Sequence, residues 1–265
     1  MFDALFTTTT EYKKLSHALS GKGACALFGL PASGRAQMYA ALCRQLDKPL
    51  CIVTPGEAEA TRFAADLNTL GIPAAVFPAR DYVLRPIEGT AREYEYRRLA
   101  VLGELVGGRL RAVAVPAEAL TQFTTPKEDF CANTRTLHAG DTLLRDDLLA
   151  ALFGADYTRR AQVDGPGQFS VRGDIVDIFA PDQKMPVRME FWGDEIDTLH
   201  TFDLTTQRRE DAIDKFYLSP AREVLFGKPA DAAEQLRAFL AKQRGKKKTV
   251  ERIHRIISEL YGRRS

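Results

Sequence analysis

Apolar and polar positions change rhythm once along this chain, near residue 126, and the change divides the expected structure in two. Before it, stretches apolar at nearly every position alternate with segments of helical period. The strand-like stretches are Ala24 to Leu30, Leu50 to Thr54, Ala74 to Phe77 and Leu110 to Val115. Between them run Arg35 to Gln45, Glu57 to Leu70 and Thr90 to Leu105, and a short helix from Ala117 to Phe123 closes the series. Strands apolar on both faces, each followed by a helix, predict a parallel sheet with crossover helices.

After Thr124-Thr125-Pro126 the helical segments shorten, and Ala161 to Phe202 reads as strand, turn, strand, turn, strand. That texture predicts a smaller α+β domain with an antiparallel sheet. In Gln168 to Phe179, Phe169 and Val171 point one way, Ser170 and Arg172 the other, and Gly173 is read as a bulge or bend. Pro186 opens Val187 to Trp192, and Gly193-Asp194 turns it through a two-residue hairpin into Glu195 to Phe202. Pairing Trp192 with Glu195 assigns Val187, Met189, Phe191, Ile196 and His200 to the buried face, and Arg188, Glu190, Trp192, Asp197 and Leu199 to the other. From Leu218 a third segment begins, strand-like into Val224-Leu225-Phe226 and then helical over Pro229 to Lys242 and Thr249 to Tyr261. The expected division is 1–126, 127–217 and 218–265, in a chain read as a piece of a longer protein.

Candidate chemistry enters at the first turn. Gly29-Leu30-Pro31-Ala32-Ser33-Gly34-Arg35-Ala36 lies over the phosphate-loop pattern G-x-x-x-x-G-K-[ST]. The pattern's lysine would reach the β and γ phosphates and its hydroxyl would ligate magnesium, whereas this chain has Arg35 and the methyl of Ala36. We read Gly29, Ser33, Gly34, Arg35 and Ala36 as a degenerate P-loop; a purely structural turn and a working NTPase site are the alternatives. A phosphate could still rest on backbone N–H groups at the helix start. No H-E-x-x-H, G-x-S-x-G or metal-spaced cluster forms around His17, His138, His200 or His254, and Val113 to Pro116 lacks the acidic pair of a helicase-type ATPase. Gly165-Pro166-Gly167 is read as a turn. No enzyme, cofactor or metal is therefore expected.

Net charge is only +2, but Lys242 to Ser265 holds nine Lys or Arg against two acids. This basic tail reads either as a solvated turn and helix or as a nucleic-acid contact. The mixed charges of Arg80 to Arg98 predict a solvated, salt-bridged face. Cys25, Cys43, Cys51 and Cys131 have no C-x-x-C spacing and read as buried, reduced thiols. No apolar run reaches membrane length and the first residues lack a signal-peptide layout, so no membrane partner and a cytoplasmic location are expected.

On the second domain, Arg159, Arg172 and Arg188, with Phe179 and Trp192 nearby, have the composition of a protein-binding surface. The same residues could be internal pairs, Arg188 with Asp197 and Arg172 with Asp174 or Asp177, with Trp192 merely covering the sheet.

Three runs go further: Tyr157-Thr158-Arg159, Gly165 through Gln168-Phe169-Ser170-Val171-Arg172-Gly173-Asp174 to Phe179, and Val187-Arg188-Met189-Glu190-Phe191-Trp192-Gly193-Asp194-Glu195-Ile196. They resemble the second domain shared by bacterial transcription-repair coupling factors and the excision-repair protein UvrB. The resemblance implies a RecA-like α/β domain with the smaller domain inserted into it. UvrB keeps an intact phosphate loop and a long aromatic β-hairpin that clamps DNA. Here Arg35 and Ala36 stand in the loop and Phe77 to Leu110 has no room for the hairpin, so the resemblance is to the coupling-factor family. It implies a non-catalytic, UvrB-mimicking module that recruits UvrA through Arg159, Arg172 and Phe179, with Arg188 and Glu190 as further contacts. It also implies RNA polymerase and double-stranded DNA as partners of domains outside these residues.

Overall fold

The computed structural model describes residues 7–21, 24–46, 48–80 and 92–223, together with residues 237, 238 and 251. The chain divides into a compact unit, residues 1–223, and a second unit, residues 224–265. The strand and helices expected after residue 223, and with them the basic tail, lie outside the described residues apart from three isolated positions. Among the described residues no helix is long and apolar enough to cross a membrane.

The first layer is a three-stranded parallel sheet of order β1-β3-β2, formed by β1 (Leu50–Thr54), β2 (Ala74–Val76) and β3 (Ala112–Pro116). All five residues of β3 are buried, because β3 is the middle strand and is covered on both faces. Helix α3 (Glu57–Thr69) lays Ala60 and Ala64 on Ala114, while Val101 of α4 (Glu93–Val106) packs against Val113 and Val115. Helices α1 (Thr10–Ser20) and α2 (Ala32–Gln45) join through Tyr12, Leu15, Met38 and Leu42. The short α5 (Ala117–Leu120) and α6 (Lys127–Ala132) lead into the second layer.

Residues 24–30 do not form the expected strand. Residues 24–29 are exposed, Phe28 at 88%, and Leu30 packs partly between the first two helices; none of the segment has a ladder partner among the described residues. Apolar, β-prone composition reports fitness for a pleated surface; a strand also requires a neighbour to take its backbone hydrogen bonds, and among the described residues this segment has none.

The second layer is a six-stranded sheet of order β10-β9-β8-β7-β6-β5. Its strands are β5 (Thr158–Arg159), β6 (Gln168–Arg172), β7 (Ile175–Phe179), β8 (Val187–Trp192), β9 (Glu195–Phe202) and β10 (Arg209–Ala212). All neighbours are antiparallel except β5 and β6. Helix α7 (Arg145–Gly154) and the two-stranded ribbon of β4 (Arg135–His138) with β11 (Lys215–Leu218) supply Leu148, Leu152, Leu137, Phe216 and Leu218 to the core under one face. Phe153 meets Phe169 edge to face, ring centroids 5.2 Å apart.

Two corrections to the register follow from local geometry. Gly173 is not a bend inside one strand: Arg172 pairs with Ile175, so Gly173-Asp174 is a two-residue hairpin turn like Gly193-Asp194. Both glycines have positive φ, +61° and +63°, the requirement of a turn with glycine first. A register shift in β9, opposite Glu190 and Phe191, then inserts one residue. Beyond it the alternation changes phase. Leu199, not His200, therefore joins Met189 in the core, and His200 pairs with Arg188 on the opposite face.

Candidate protein-binding face

Rows of paired side chains cross the face of the six-stranded sheet opposite α7, and their exposure rises from one end to the other. At the closed end Phe179, paired with Gln168, is only 6% exposed and packs with Val163, Phe202 and the partly buried Leu204. The next row is Ser170, Asp177, Arg188 and His200. Then come Arg172, Ile175, Glu190 and Thr198, and the last row holds Trp192 and Glu195.

Asp177 organises the middle of this face. It is 1% exposed and accepts hydrogen bonds from Arg172 Nη2 at 2.6 Å, Arg188 Nε at 2.7 Å and Arg188 Nη2 at 2.9 Å. A carboxylate so deep costs several kcal/mol of desolvation unless hydrogen-bonded counter-charges offset it, and here two guanidinium groups do. Arg188 also donates to the Gln207 carbonyl at 3.2 Å and lies over the Phe202 ring, 4.8 Å from its centroid. The Asp177 hydrogen bonds raise the Arg188 pKa further, outweighing its partial burial. Two arginines against one carboxylate leave one positive charge. It emerges at Arg172, whose side chain is 48% exposed against 13% for Arg188. Beside it Glu190 is paired with Arg209 and accepts from Thr198 Oγ1, so that pair is neutral.

The structure thus brings Arg172, Arg188 and Glu190 onto one face. Phe179 shares that face but is sealed at its closed end, so as it stands it offers little surface to a partner. Arg159 stands on the edge strand β5, exposed, in register with the core-facing Phe169 and with no carboxylate partner among the described residues. Of the internal pairs considered, Arg172 with Asp177 forms; Arg188 pairs with Asp177, directly opposite it, rather than with Asp197, which belongs to the shifted stretch of β9.

In the first layer, Ser33, Gly34, Arg35 and Ala36 lie in the first turn of α2, which starts at Ala32 rather than Arg35. Gly29 has φ +83°, so the turn does require glycine. The Arg35 backbone N–H donates to Pro31 O at 3.0 Å, and its guanidinium lies 5.8 Å from the Phe63 ring centroid. Ala36 is 4% exposed. Of the cysteines only Cys43 is buried, which raises its thiol pKa; Cys25 on segment 24–30, Cys51 on the outward side of β1 and Cys131 on the outer face of α6 are exposed. Among the described residues no group of three His, Cys, Asp or Glu could hold a metal.

A second charge cluster was not read from the sequence. Arg98, expected on a solvated face, is fully buried, with Nε and Nη2 each 2.7 Å from an oxygen of the equally buried Glu223. Its Nη1 donates to Pro78 O at 2.7 Å, and its guanidinium stacks 4.0 Å from the Phe77 centroid. Arg80 joins Glu223 at 2.8 Å and donates to Phe123 O. Burial acts to raise the Glu223 pKa, but the Arg98 and Thr124 hydrogen bonds and the charges of Arg98 and Arg80 prevail and lower it. The signal was present: Arg98, Val101 and Leu105 fall on one helical stripe.

Residues 136–224, from β4 to just beyond Glu223, match the family model of the UvrB interaction domain. The chain is 28% identical over 212 residues to the transcription-repair-coupling factor of Bacillus subtilis, covering 79% of this chain and 18% of that protein. It is 38% identical over 192 residues to that of Mycobacterium bovis, covering 69% and 15%. UvrABC system protein B of Chlorobium limicola is 29% identical over 231 residues, covering 81% and 33%. The chain spans less than a fifth of the coupling factors it matches.

Proposed function

We propose that this UvrB-like module, of the kind found in transcription-repair coupling factors, works by docking: it recruits UvrA to nucleotide excision repair and performs no reaction itself. The observation that carries the reading is the uncompensated charge at Arg172. Arg172 is braced by a buried carboxylate and half open to solvent, so its orientation is set before a partner arrives. A planar guanidinium held in this way suits a partner carboxylate better than a mobile lysine would.

The three-stranded parallel layer is read here as a RecA-like remnant and the turn at Gly29 as a degenerate P-loop. In place of the lysine and hydroxyl of a working loop it has Arg35, lying beside Phe63, and the buried methyl of Ala36. Contacts with RNA polymerase and double-stranded DNA are assigned in this reading to parts of the longer relatives that this chain does not span. Calorimetric titration of the chain with UvrA, beside an ATPase assay in magnesium, tests both halves of the proposal. Saturable heat with UvrA and no turnover above background is expected. Magnesium-dependent hydrolysis abolished by Arg35→Ala would instead support a nucleotide-handling fragment.

A further inference from the structure

We infer that Trp192 is the apolar anchor of the UvrA-docking face, inserting its indole into an apolar pocket of UvrA beside the carboxylate that meets Arg172. The inference rests on the UvrA reading above. Trp192 is the sole tryptophan of the chain and is 82% exposed. It therefore does not act as a cover for the sheet. Along β8 the side chains alternate, so Arg188, Glu190 and Trp192 share one face, with Trp192 two residues, or about 7 Å, beyond Glu190. Ile175, half-buried and paired with Glu190, bridges the row between Arg172 and the indole side of the sheet.

The indole stands on rigid backbone. Trp192 pairs with Glu195 across the Gly193-Asp194 turn, Leu143 N–H donates to Asp194 O at 2.7 Å, and Gly140 N–H donates to Ile196 O at 2.7 Å. Little conformational freedom of the main chain remains to be lost on binding. An aromatic anchor of this size with an adjacent preorganised arginine is the pairing that dominates protein interfaces, where Trp and Arg carry most of the energy. The one net positive charge of the Arg172, Asp177 and Arg188 group fixes the sign of the neighbouring partner group as negative.

Because the chain has one tryptophan, 5-fluorotryptophan labelling gives a single ¹⁹F resonance, titrated with unlabelled UvrA. The expected result is that the resonance shifts or broadens on complex formation, that Trp192→Ala weakens binding about tenfold or more with an unchanged circular dichroism spectrum, and that Trp192→Phe retains most of the affinity. If Arg172→Ala weakens binding while the resonance stays put or Trp192→Ala binds like the parent, the anchor is overturned and the UvrA reading stands. If the parent chain does not bind UvrA at all, both fall.

Discussion

Two clusters in this molecule have the same makeup, one carboxylate held between two arginines, and opposite relations to solvent. Glu223 with Arg98 and Arg80 is closed: the carboxylate and Arg98 are both fully buried, and the remaining donors go to Pro78 O and Phe123 O. Asp177 with Arg172 and Arg188 is open at one end, where Arg172 keeps half of its side chain in water. The difference lies in what surrounds each cluster. Residues 77–80, α4, residues 122–124 and residue 223 converge on the first, so it ties the two layers together. The second lies on a sheet face covered at one end only, so its excess charge is presented outward.

The comparison breaks most easily at its closed half. Glu223→Ala leaves Arg98 buried without its counter-ion, and we expect a loss of about 3–5 kcal/mol in urea-induced unfolding; a loss below about 1 kcal/mol would contradict the role assigned to the cluster. Phe179→Ala opens a cavity among Val163, Phe202 and Leu204 and is expected to cost about 3 kcal/mol by the same measurement. Any weakening of UvrA binding by this variant should then track unfolding and disappear with Phe179→Leu. Within the open cluster, Arg188→Ala should destabilise by about 2 kcal/mol, since it strips two of the three arginine hydrogen bonds from a carboxylate at 1% exposure. Arg172→Ala, more exposed and singly bonded, should cost no more than about 1 kcal/mol. Equal losses would mean that both arginines serve the same purpose.

A smaller effect concerns pH. The folded-state pKa of Glu223 is lowered, so its stabilisation is fully present above the ordinary carboxylate pKa and disappears as pH falls through the lower folded value. Unfolding curves should thus show parent and Glu223→Gln converging as pH drops below about 4.

How far the sequence carried this account depends on the reach of each signal. The Gly193-Asp194 hairpin and the Trp192 with Glu195 pairing were legible because a two-residue turn fixes register locally. Gly173-Asp174 is the same dipeptide, yet unbroken apolar alternation around it disguised the turn as a bend. The shift in β9 left no mark in composition, and it exchanged the faces of Leu199 and His200. Arg172 and Arg188 were read, with Arg159, as basic residues of one surface, but Asp177 was a candidate partner for Arg172 alone; that Arg188 shares it emerges only from the ladder that puts Asp177 opposite Arg188. Arg98 was misread because its neighbours Arg92, Glu93 and Arg97 are exposed, and its partner lies 125 residues away. Residues 24–30 show the converse failure, in which strong β composition has no neighbouring strand to pair with among the described residues.

The most direct test of the docking account is a calorimetric titration of UvrA with the parent chain, Arg172→Ala and, as a control, Arg62→Ala, whose side chain is 65% exposed on α3. The account predicts that Arg172→Ala loses about 2 kcal/mol of binding, roughly thirtyfold, while Arg62→Ala matches the parent. Indistinguishable affinities for all three proteins would contradict it.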